Sequence, residues 1–93
     1  MRPFFILFPM AFVYILFSES LDKFYVGSTS TDLADRLRRH LSGHSGFTAK
    51  AKDWGIVYTE TFPDKAKALK REKEIKAWKS RAMIAKLIRE TGL

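Results

Sequence analysis

The 93-residue chain contains no cysteine, which excludes a disulfide framework, a thiolate metal site and a cysteine nucleophile. Acidic residues are scarce: ten Asp and Glu stand against seventeen Lys and Arg, which leaves a formal net charge of +7. No internal repeat, linker or low-complexity segment interrupts the chain, and its length allows one modest core but not two. We therefore expect a single small domain, and the lack of cysteine is compatible with a reducing, cytoplasmic location.

Hydrophobic residues make up 46% of the chain and aromatic residues 14%, which favours a folded globule over disorder. The charge is uneven, because residues 64–93 contain ten basic and four acidic side chains and carry almost all of the excess. Such a balance favours a polyanionic partner, with nucleic acid ahead of an anionic membrane surface. A solvated lysine-rich helix explains the charge equally well.

Residues 3–17 form an uncharged run of fifteen, shorter than the ~20 apolar residues of a membrane span, and Pro9 interrupts it. A strand should begin only after this proline, which cannot donate to a sheet. We predict that residues 1–9 are an extension produced by the choice of start site, and that residues 10–93 are the domain. Stable membrane association is not expected, although a membrane-associated adaptor remains a third, weaker hypothesis.

Two apolar, β-prone runs within residues 13–27 flank a polar middle, a pattern typical of a β-hairpin. A loop at Ser18–Leu21 would place Tyr14 directly opposite Tyr25. A register slip of two residues keeps both tyrosines on one face, whereas a slip of one separates them. Gly27 ends the second strand, where a bulky side chain would block close approach to whatever the tyrosines face.

The remaining pattern predicts an α+β domain of order ββαβαα, with a small three-stranded antiparallel sheet packed by helices. The first strand is apolar on both faces and should be central, whereas the third alternates, with Ile56, Tyr58 and Phe62 on one face. The predicted elements are strand Ala11–Phe17, a helix capped within Ser28–Thr31 and ending near Leu41, strand Gly55–Phe62, a helix from the Asp64 cap to about Trp78, and a helix from the Ser80 cap to near Gly92.

Three residues stand out on the predicted helices. Arg36 and His40 lie four apart beside a leucine stripe (Leu33, Leu37, Leu41), so both can point along the sheet edge. Glu72 falls within an apolar arc formed by Ala68, Leu69, Ile75 and Trp78. A carboxylate there is costly unless it is paired or binds a metal. The alternatives are a salt bridge to an arginine or exposure at the rim of the core. The last helix has a similar apolar stripe, which comprises Met83, Ile84, Leu87 and Ile88.

Several of these residues recur in order in one known family. The chain resembles the GIY-YIG nucleases over roughly residues 11–88, and it is closest to their small, stand-alone bacterial single-domain members. It is also similar to the nuclease domain of the excision-repair incision subunit. The motifs that carry the resemblance are Val13-Tyr14-Ile15, Tyr25-Val26-Gly27, Asp32-Leu33, Arg36-Leu37, His40, Ala68-Leu69 and Glu72.

The resemblance implies a metal-dependent DNA endonuclease with a role in DNA repair, in which a signature tyrosine activates water and Glu72 binds one Mg²⁺ or Mn²⁺. The implied catalytic residues are Tyr14, Tyr25, Gly27, Arg36 and His40. A guanidinium fork suits a phosphate, and Mg²⁺ can bind through a single carboxylate while keeping most of its waters. A free tyrosine, with a pKa near 10, is a poor base unless its site lowers that value. Which tyrosine acts stays open. The alternatives are that both tyrosines are ordinary core residues and that Arg36 and His40 are ordinary edge residues of a basic helix.

The expected partner is DNA, with branched or damaged DNA and RNA left open, and a monomer is the default. The alternative function is a nucleic-acid-binding module on the same fold without significant turnover. Three departures from the family pattern bear on turnover: Val13 replaces a glycine, Ser28 stands where repair-subunit members carry lysine, and the chain contains no asparagine. The candidate phosphate contacts, which would position the DNA rather than specify its sequence, are Arg38, Arg39, Lys50, Lys52, Lys70, Arg71, Lys76 and Lys79. His44, in a glycine-containing loop, is a further candidate for substrate contact.

Overall fold

The computed structural model describes residues 11–42 and 46–90, so the predicted extension, His44 and the predicted end of the last helix lie outside the described residues. The predicted order ββαβαα is confirmed, with a 3-10 helix that the sequence did not predict between the first helix and the third strand. The elements are β1 (Ala11–Ser18), β2 (Lys23–Thr29), α1 (Leu33–Leu41), the 3-10 helix (Phe47–Lys50), β3 (Gly55–Phe62), α2 (Lys65–Trp78) and α3 (Arg81–Glu90).

The three strands form an antiparallel sheet in the order β2-β1-β3, so β1 is the central strand, as predicted. Its side chains explain this position, because Val13 and Ile15 are buried on one face and Leu16 on the other. Helices α2 and α3 cover the first face, and α1 with the 3-10 helix and its flanking residues covers the second. No helix in residues 11–42 and 46–90 is long and apolar enough to cross a membrane.

The register of the hairpin differs from the prediction by two residues. Tyr14 pairs with Gly27, and Tyr25 pairs with Leu16 instead. The prediction that the two tyrosines stand directly opposite each other is therefore wrong. A shift of two preserves the side-chain alternation, so both tyrosines still lie on the face covered by α1.

The hairpin turn shifts because Ser18 remains in the strand. Its side chain is fully buried, and its hydroxyl donates to an Asp53 carboxylate oxygen at 2.6 Å. The other oxygen accepts the Ser20 backbone N–H at 2.8 Å. The turn is thus Glu19–Asp22, rather than one that begins at Ser18, and Asp22 takes a left-handed conformation with φ 54°. These hydrogen bonds join residues more than thirty positions apart, which the local pattern could not predict.

A β-bulge changes the predicted faces of β3. Ile15 pairs with Tyr58, but the next residue, Leu16, pairs with Ile56, so Val57 is the extra residue. Ile56 therefore packs on the tyrosine face, whereas Tyr58 packs beneath α2 and α3. The prediction that Ile56 and Tyr58 share a face is wrong, because strict alternation does not hold across a bulge.

Two of the three predicted helix caps are confirmed. The Asp64 carboxylate accepts a backbone N–H of α2 at 2.9 Å, and the Ser80 hydroxyl accepts one of α3 at 3.2 Å. At α1 the cap residue is Asp32, whose side chain makes no capping hydrogen bond. The prediction of a cap within residues 28–31 is wrong because β2 extends to Thr29, which leaves the earlier hydroxyls in the strand.

The predicted apolar arcs of α2 and α3 are each correct except for one residue. Ala68 and Ile75 are almost fully buried, but Leu69 is 41% exposed. On α3, Met83 is 45% exposed, whereas its predicted companions pack against the core. Each helix therefore packs a narrower stripe of side chains against the core than the hydrophobic periodicity of the sequence indicates.

Candidate active site

Tyr14 lies in the middle of the central strand and is only 2% exposed. Its ring extends over Gly27, the residue it pairs with on β2. A Cβ atom at Gly27 would lie 2.5 Å from the Tyr14 hydroxyl oxygen and 2.6 Å from Cζ, well inside van der Waals contact. Glycine at this position therefore gives Tyr14 its space. The prediction that Gly27 ends the second strand is wrong, because β2 continues to Thr29.

Helix α1 supplies two partners for the Tyr14 hydroxyl. His40 Nε2 lies 2.8 Å from the hydroxyl oxygen, and Arg36 Nε donates to the same oxygen in a longer bond of 3.4 Å. The other His40 nitrogen, Nδ1, lies 2.9 Å from Thr48 Oγ1 in the 3-10 helix. The leucine stripe of α1 packs on this face of the sheet, which turns Arg36 and His40 toward Tyr14.

The electrostatics link these groups to Glu72 on α2. Burial raises the pKa of Tyr14 above its ordinary value, and the Arg36 guanidinium opposes that rise. The hydrogen bond to Tyr14 raises the pKa of Arg36, with a smaller contribution in the same direction from the Glu72 carboxylate. Glu72 is thus close enough for its charge to act on both groups, although it approaches from the opposite face of the sheet.

Tyr25 lies beside this network and is only partly buried. Its ring meets the His40 ring edge-on at 5.1 Å between centroids, and Lys76 Nζ lies 5.8 Å from the Tyr25 ring centre. Within residues 11–42 and 46–90, its hydroxyl makes no hydrogen bond. The two signature tyrosines therefore differ. The Tyr14 hydroxyl is buried and hydrogen-bonded, whereas Tyr25 is partly exposed and its hydroxyl has no hydrogen-bond partner within the described residues.

Glu72 is largely buried, with 13% of its side chain exposed. One carboxylate oxygen accepts the Ser28 hydroxyl of β2, and the other accepts Lys76 Nζ at 2.5 Å. The acid thus lies on the packing side of α2, as predicted, and its pairing partner is a lysine rather than the arginine considered as an alternative. Glu74 is half exposed and is paired with Arg71.

The residues around Glu72 fit a divalent ion held by one protein carboxylate. The described residues, 11–42 and 46–90, contain no cluster of three or more His, Asp or Glu side chains suited to a metal. Each carboxylate oxygen can accept more than one bond, and Lys76 is half exposed on a flexible stem. A hydrated Mg²⁺ or Mn²⁺ on Glu72 is compatible with this donor set.

The predicted phosphate contacts fall into different environments. Lys76 reaches the site directly, and Lys50 Nζ lies 5.1 Å from the ring centre of Phe47, a neighbour of Tyr25. Arg71 instead donates to Glu60 at 3.0 Å and covers the Trp78 ring at 5.7 Å, so its guanidinium is occupied in the structure. The remaining predicted contacts in the described residues are exposed: Arg38, Arg39, Lys52, Lys70 and Lys79.

The sequence did not indicate four residues that shape the site. Ser28 was noted only as the residue replacing a lysine, yet it donates to Glu72. Thr48 contacts His40 and also accepts the Trp54 indole N–H through its carbonyl at 2.9 Å. Phe47 and Trp54 pack around Tyr25. All but Ser28 come from a segment with no periodic pattern, so only the fold brings them to the site.

A ββαβαα domain with a hydrogen-bonded Tyr–His–Arg group beside one carboxylate has the architecture of a nuclease-type domain. A model of the GIY-YIG catalytic domain matches residues 10–86, most of the 93-residue chain. The chain therefore belongs to the GIY-YIG family, whose members are nucleases that act on nucleic acids. Comparisons with curated proteins and with solved structures gave no significant match.

Proposed function

We propose that the protein is a metal-dependent endonuclease that hydrolyses phosphodiester bonds in DNA. The observation that carries this proposal is the position of the Tyr14 hydroxyl, which is hydrogen-bonded by His40 and Arg36 in the field of the Glu72 carboxylate. A histidine can accept a proton, an arginine can offset negative charge, and a carboxylate can hold a hard cation. Phosphodiester hydrolysis needs all three capacities at one place.

Tyr14 and His40 would together activate water. With Nδ1 protonated toward Thr48, Nε2 of His40 accepts the Tyr14 proton while the Tyr14 oxygen takes one from the attacking water. Arg36 would stabilise the negative charge that forms on the phenol oxygen. In the described part of the chain, Tyr25 has no hydrogen-bonded proton acceptor. We therefore assign the base to Tyr14 and a substrate contact to the Tyr25 hydroxyl.

Charge on the phosphate would be offset from two sides. Arg36 presents a guanidinium whose raised pKa keeps it charged at any physiological pH. When bound at Glu72, Mg²⁺ or Mn²⁺ supplies a Lewis acid for the leaving 3′ oxygen. Ser28 and Lys76 hold the Glu72 carboxylate in place. Lys76 also supplies a cation on the side where a lysine at position 28 is lacking.

The test is a nicking assay on supercoiled plasmid and on branched DNA, with and without Mg²⁺ or Mn²⁺. Glu72→Gln keeps the shape of the side chain but removes its charge, so it should abolish cleavage and leave DNA binding intact. Glu74→Gln is the matched control on the same helix, because Glu74 is half exposed. Cleavage by a folded Glu72→Gln protein at the wild-type rate would exclude the assigned metal ligand. Absence of cleavage by the wild type would exclude the enzyme.

A second candidate function is a nucleic-acid-binding module without turnover. The observation in its favour is that the protein's own Ser28 and Lys76 engage both Glu72 oxygens, while Tyr14 is nearly inaccessible. Retained DNA binding without metal-dependent cleavage would support it. A role in DNA repair and a cytoplasmic location form part of the leading proposal. They rest on the resemblance and on the absence of cysteine.

A further inference from the structure

A groove runs beside Tyr25, outside the Tyr14 hydrogen-bond network. One section has a volume of about 280 Å³ and the adjoining section about 360 Å³. These volumes are close to the lower end of the roughly 300–1,000 Å³ typical of small-molecule pockets. Phe24, Phe47 and Lys79 line both sections, while Tyr25 and Lys76 line only the section nearer the site. The groove thus begins at the candidate active site and leads away from it.

Phe47 gives this groove an exposed aromatic surface. The side chain is 39% exposed, which is unusual for a phenylalanine in a small core. Its ring lies nearly parallel to that of Tyr25, at 17° and 6.1 Å between centroids, and Trp54 lies behind it at 5.9 Å. Both separations are within the range of favourable aromatic pairs. The ring is therefore held in place from within the core while remaining partly open to solvent.

Positive charge surrounds the aromatic surface. Lys50 Nζ lies 5.1 Å from the Phe47 ring centre, and Lys76 and Lys79 line the same section of the groove. The far section contains one acid, Asp22, which is paired with Arg81 at 2.5 Å. Lys76 is half exposed and is paired with Glu72 at 2.5 Å, so the net positive charge of the rim comes from Lys50 and Lys79. This charge is complementary to a chain of phosphates.

We propose that this groove binds an unpaired nucleotide of single-stranded DNA next to the phosphate that is cleaved. The base would stack on Phe47, and Lys76 and Lys79 would contact the flanking phosphates. Aromatic platforms with basic borders are suited to single strands because an unpaired base offers its face, whereas a paired base in a duplex does not. The inference rests on the proposed DNA partner. It narrows the substrate class to DNA with single-stranded or branched segments.

The experiment measures binding without cleavage, by fluorescence anisotropy in EDTA. The ligands are a labelled single strand and the duplex of the same sequence. Phe47→Leu keeps the apolar volume but removes the ring. It should weaken single-strand binding about tenfold or more, the range of one lost base stack, and change duplex binding less than twofold. Phe47→Trp should restore single-strand binding. Leu69→Ala is the matched control, since Leu69 is equally exposed on α2 but does not line the groove.

A strand containing 2-aminopurine provides a direct signal, because stacking on Phe47 should quench its fluorescence in the wild type but not in Phe47→Leu. Thermal unfolding confirms that each variant is folded. Duplex binding that exceeds single-strand binding, or equal losses for both DNAs in Phe47→Leu, would overturn the inference while leaving the endonuclease proposal intact. If the wild type binds neither DNA, both proposals fail.

Discussion

Tyr14 combines a place in the core with the chemistry proposed for the site, and the two requirements affect its pKa in opposite directions. Burial raises the pKa, whereas the Arg36 guanidinium lowers it, and the net shift is upward. A phenolate formed by proton loss to solvent would therefore be rare at neutral pH. Because His40, 2.8 Å away, can accept the Tyr14 proton while the phenol oxygen takes one from water, no free phenolate has to form in this route.

The pH dependence of cleavage distinguishes these two routes. Transfer within the Tyr14–His40 pair leaves the number of protons on the pair unchanged. The wild-type rate should therefore be level between about pH 8 and 9.5, below the raised Tyr14 pKa. In His40→Ala, the phenol must lose its proton to solvent. The residual rate should then be at least ~10²-fold lower and should rise about tenfold per pH unit.

Single-turnover cleavage in Mg²⁺ across this pH range provides the measurement. Tyr14→Phe is the control, and it should lose activity at every pH because it has no hydroxyl. A wild-type rate that itself rises tenfold per unit would contradict the transfer to His40.

A second tyrosine should control stability at alkaline pH. Burial, with the hydrogen bond to Glu60, raises the pKa of Tyr58 to about 12, against about 10 in the unfolded chain. Because the Tyr58 pKa is higher in the folded than in the unfolded protein, the protonated Tyr58 side chain stabilises the fold fully below about pH 10. This stabilisation is lost as the pH rises through about 12. Wild type should therefore lose roughly 1.4 kcal/mol more than Tyr58→Phe between pH 8 and pH 11.

Urea unfolding of both proteins at the two pH values gives this difference directly. All other titratable groups are common to the two proteins, so their contributions cancel in the comparison. Identical pH dependence of the two proteins would show that Glu60 and the core do not hold the Tyr58 proton.

At the scale of elements, the sequence predicts what depends on local pattern. The bounds of β3 and α2 follow from alternation, helical spacing and the Asp64 cap, and the structure reproduces them. The hairpin register depends on the long-range bond from Ser18 to Asp53, and the face of Ile56 depends on a bulge. Neither the long-range hydrogen bond nor the bulge can be recognised from a short stretch of sequence.

The residues of the candidate site likewise fall into those that local sequence spacing can place and those that only the fold can place. Arg36 and His40 can be placed from their four-residue spacing on α1, and Glu72 from its arc on α2. Thr48 and Phe47 cannot be placed, because they lie in a short 3-10 helix that follows a stretch without hydrophobic periodicity. Their positions are set by contacts with Trp54, which directly precedes β3 in the chain.

The two acidic cap residues provide a matched test of helix capping. Asp64 accepts a backbone N–H at the start of α2, whereas Asp32 makes no capping hydrogen bond with its side chain at α1. Asp64→Ala should therefore lower the free energy of unfolding by about 1 kcal/mol, and Asp32→Ala by clearly less. Urea denaturation of both variants provides the measurement. Equal losses would mean that helix-dipole interactions, rather than the capping bond, set the cost.

At the scale of the whole molecule, the uneven charge along the sequence corresponds to an uneven distribution of charge in the fold. The excess of basic residues in 64–93 lies on α2, α3 and the turn between them. Part of this charge is neutralised internally, since Arg71 binds Glu60, Lys76 binds Glu72 and Arg81 binds Asp22. The lysines that line the groove, Lys76 and Lys79, stand where α2 ends beside β2. The formal charge of the chain therefore overstates the charge available to DNA and does not reveal its location.

The salt dependence of DNA binding should distinguish the lysines that line the groove from basic residues elsewhere on the surface. Each phosphate neutralised by a lysine releases counterions, so the slope of log K against log salt changes by about 0.7 for single strands and 0.9 for duplex. Lys79→Gln should make the wild-type slope shallower by about that amount, because Lys79 lines the groove. Lys86→Gln removes the same formal charge from α3, where Lys86 lies near Glu90 and Trp78 rather than in the groove. Lys86→Gln should leave the slope unchanged.

Anisotropy titrations between about 50 and 200 mM salt, in EDTA, measure the slopes of the wild type and both variants. Equal changes in the two variants would mean that DNA responds to the net charge of the protein and not to a groove beside the tyrosines.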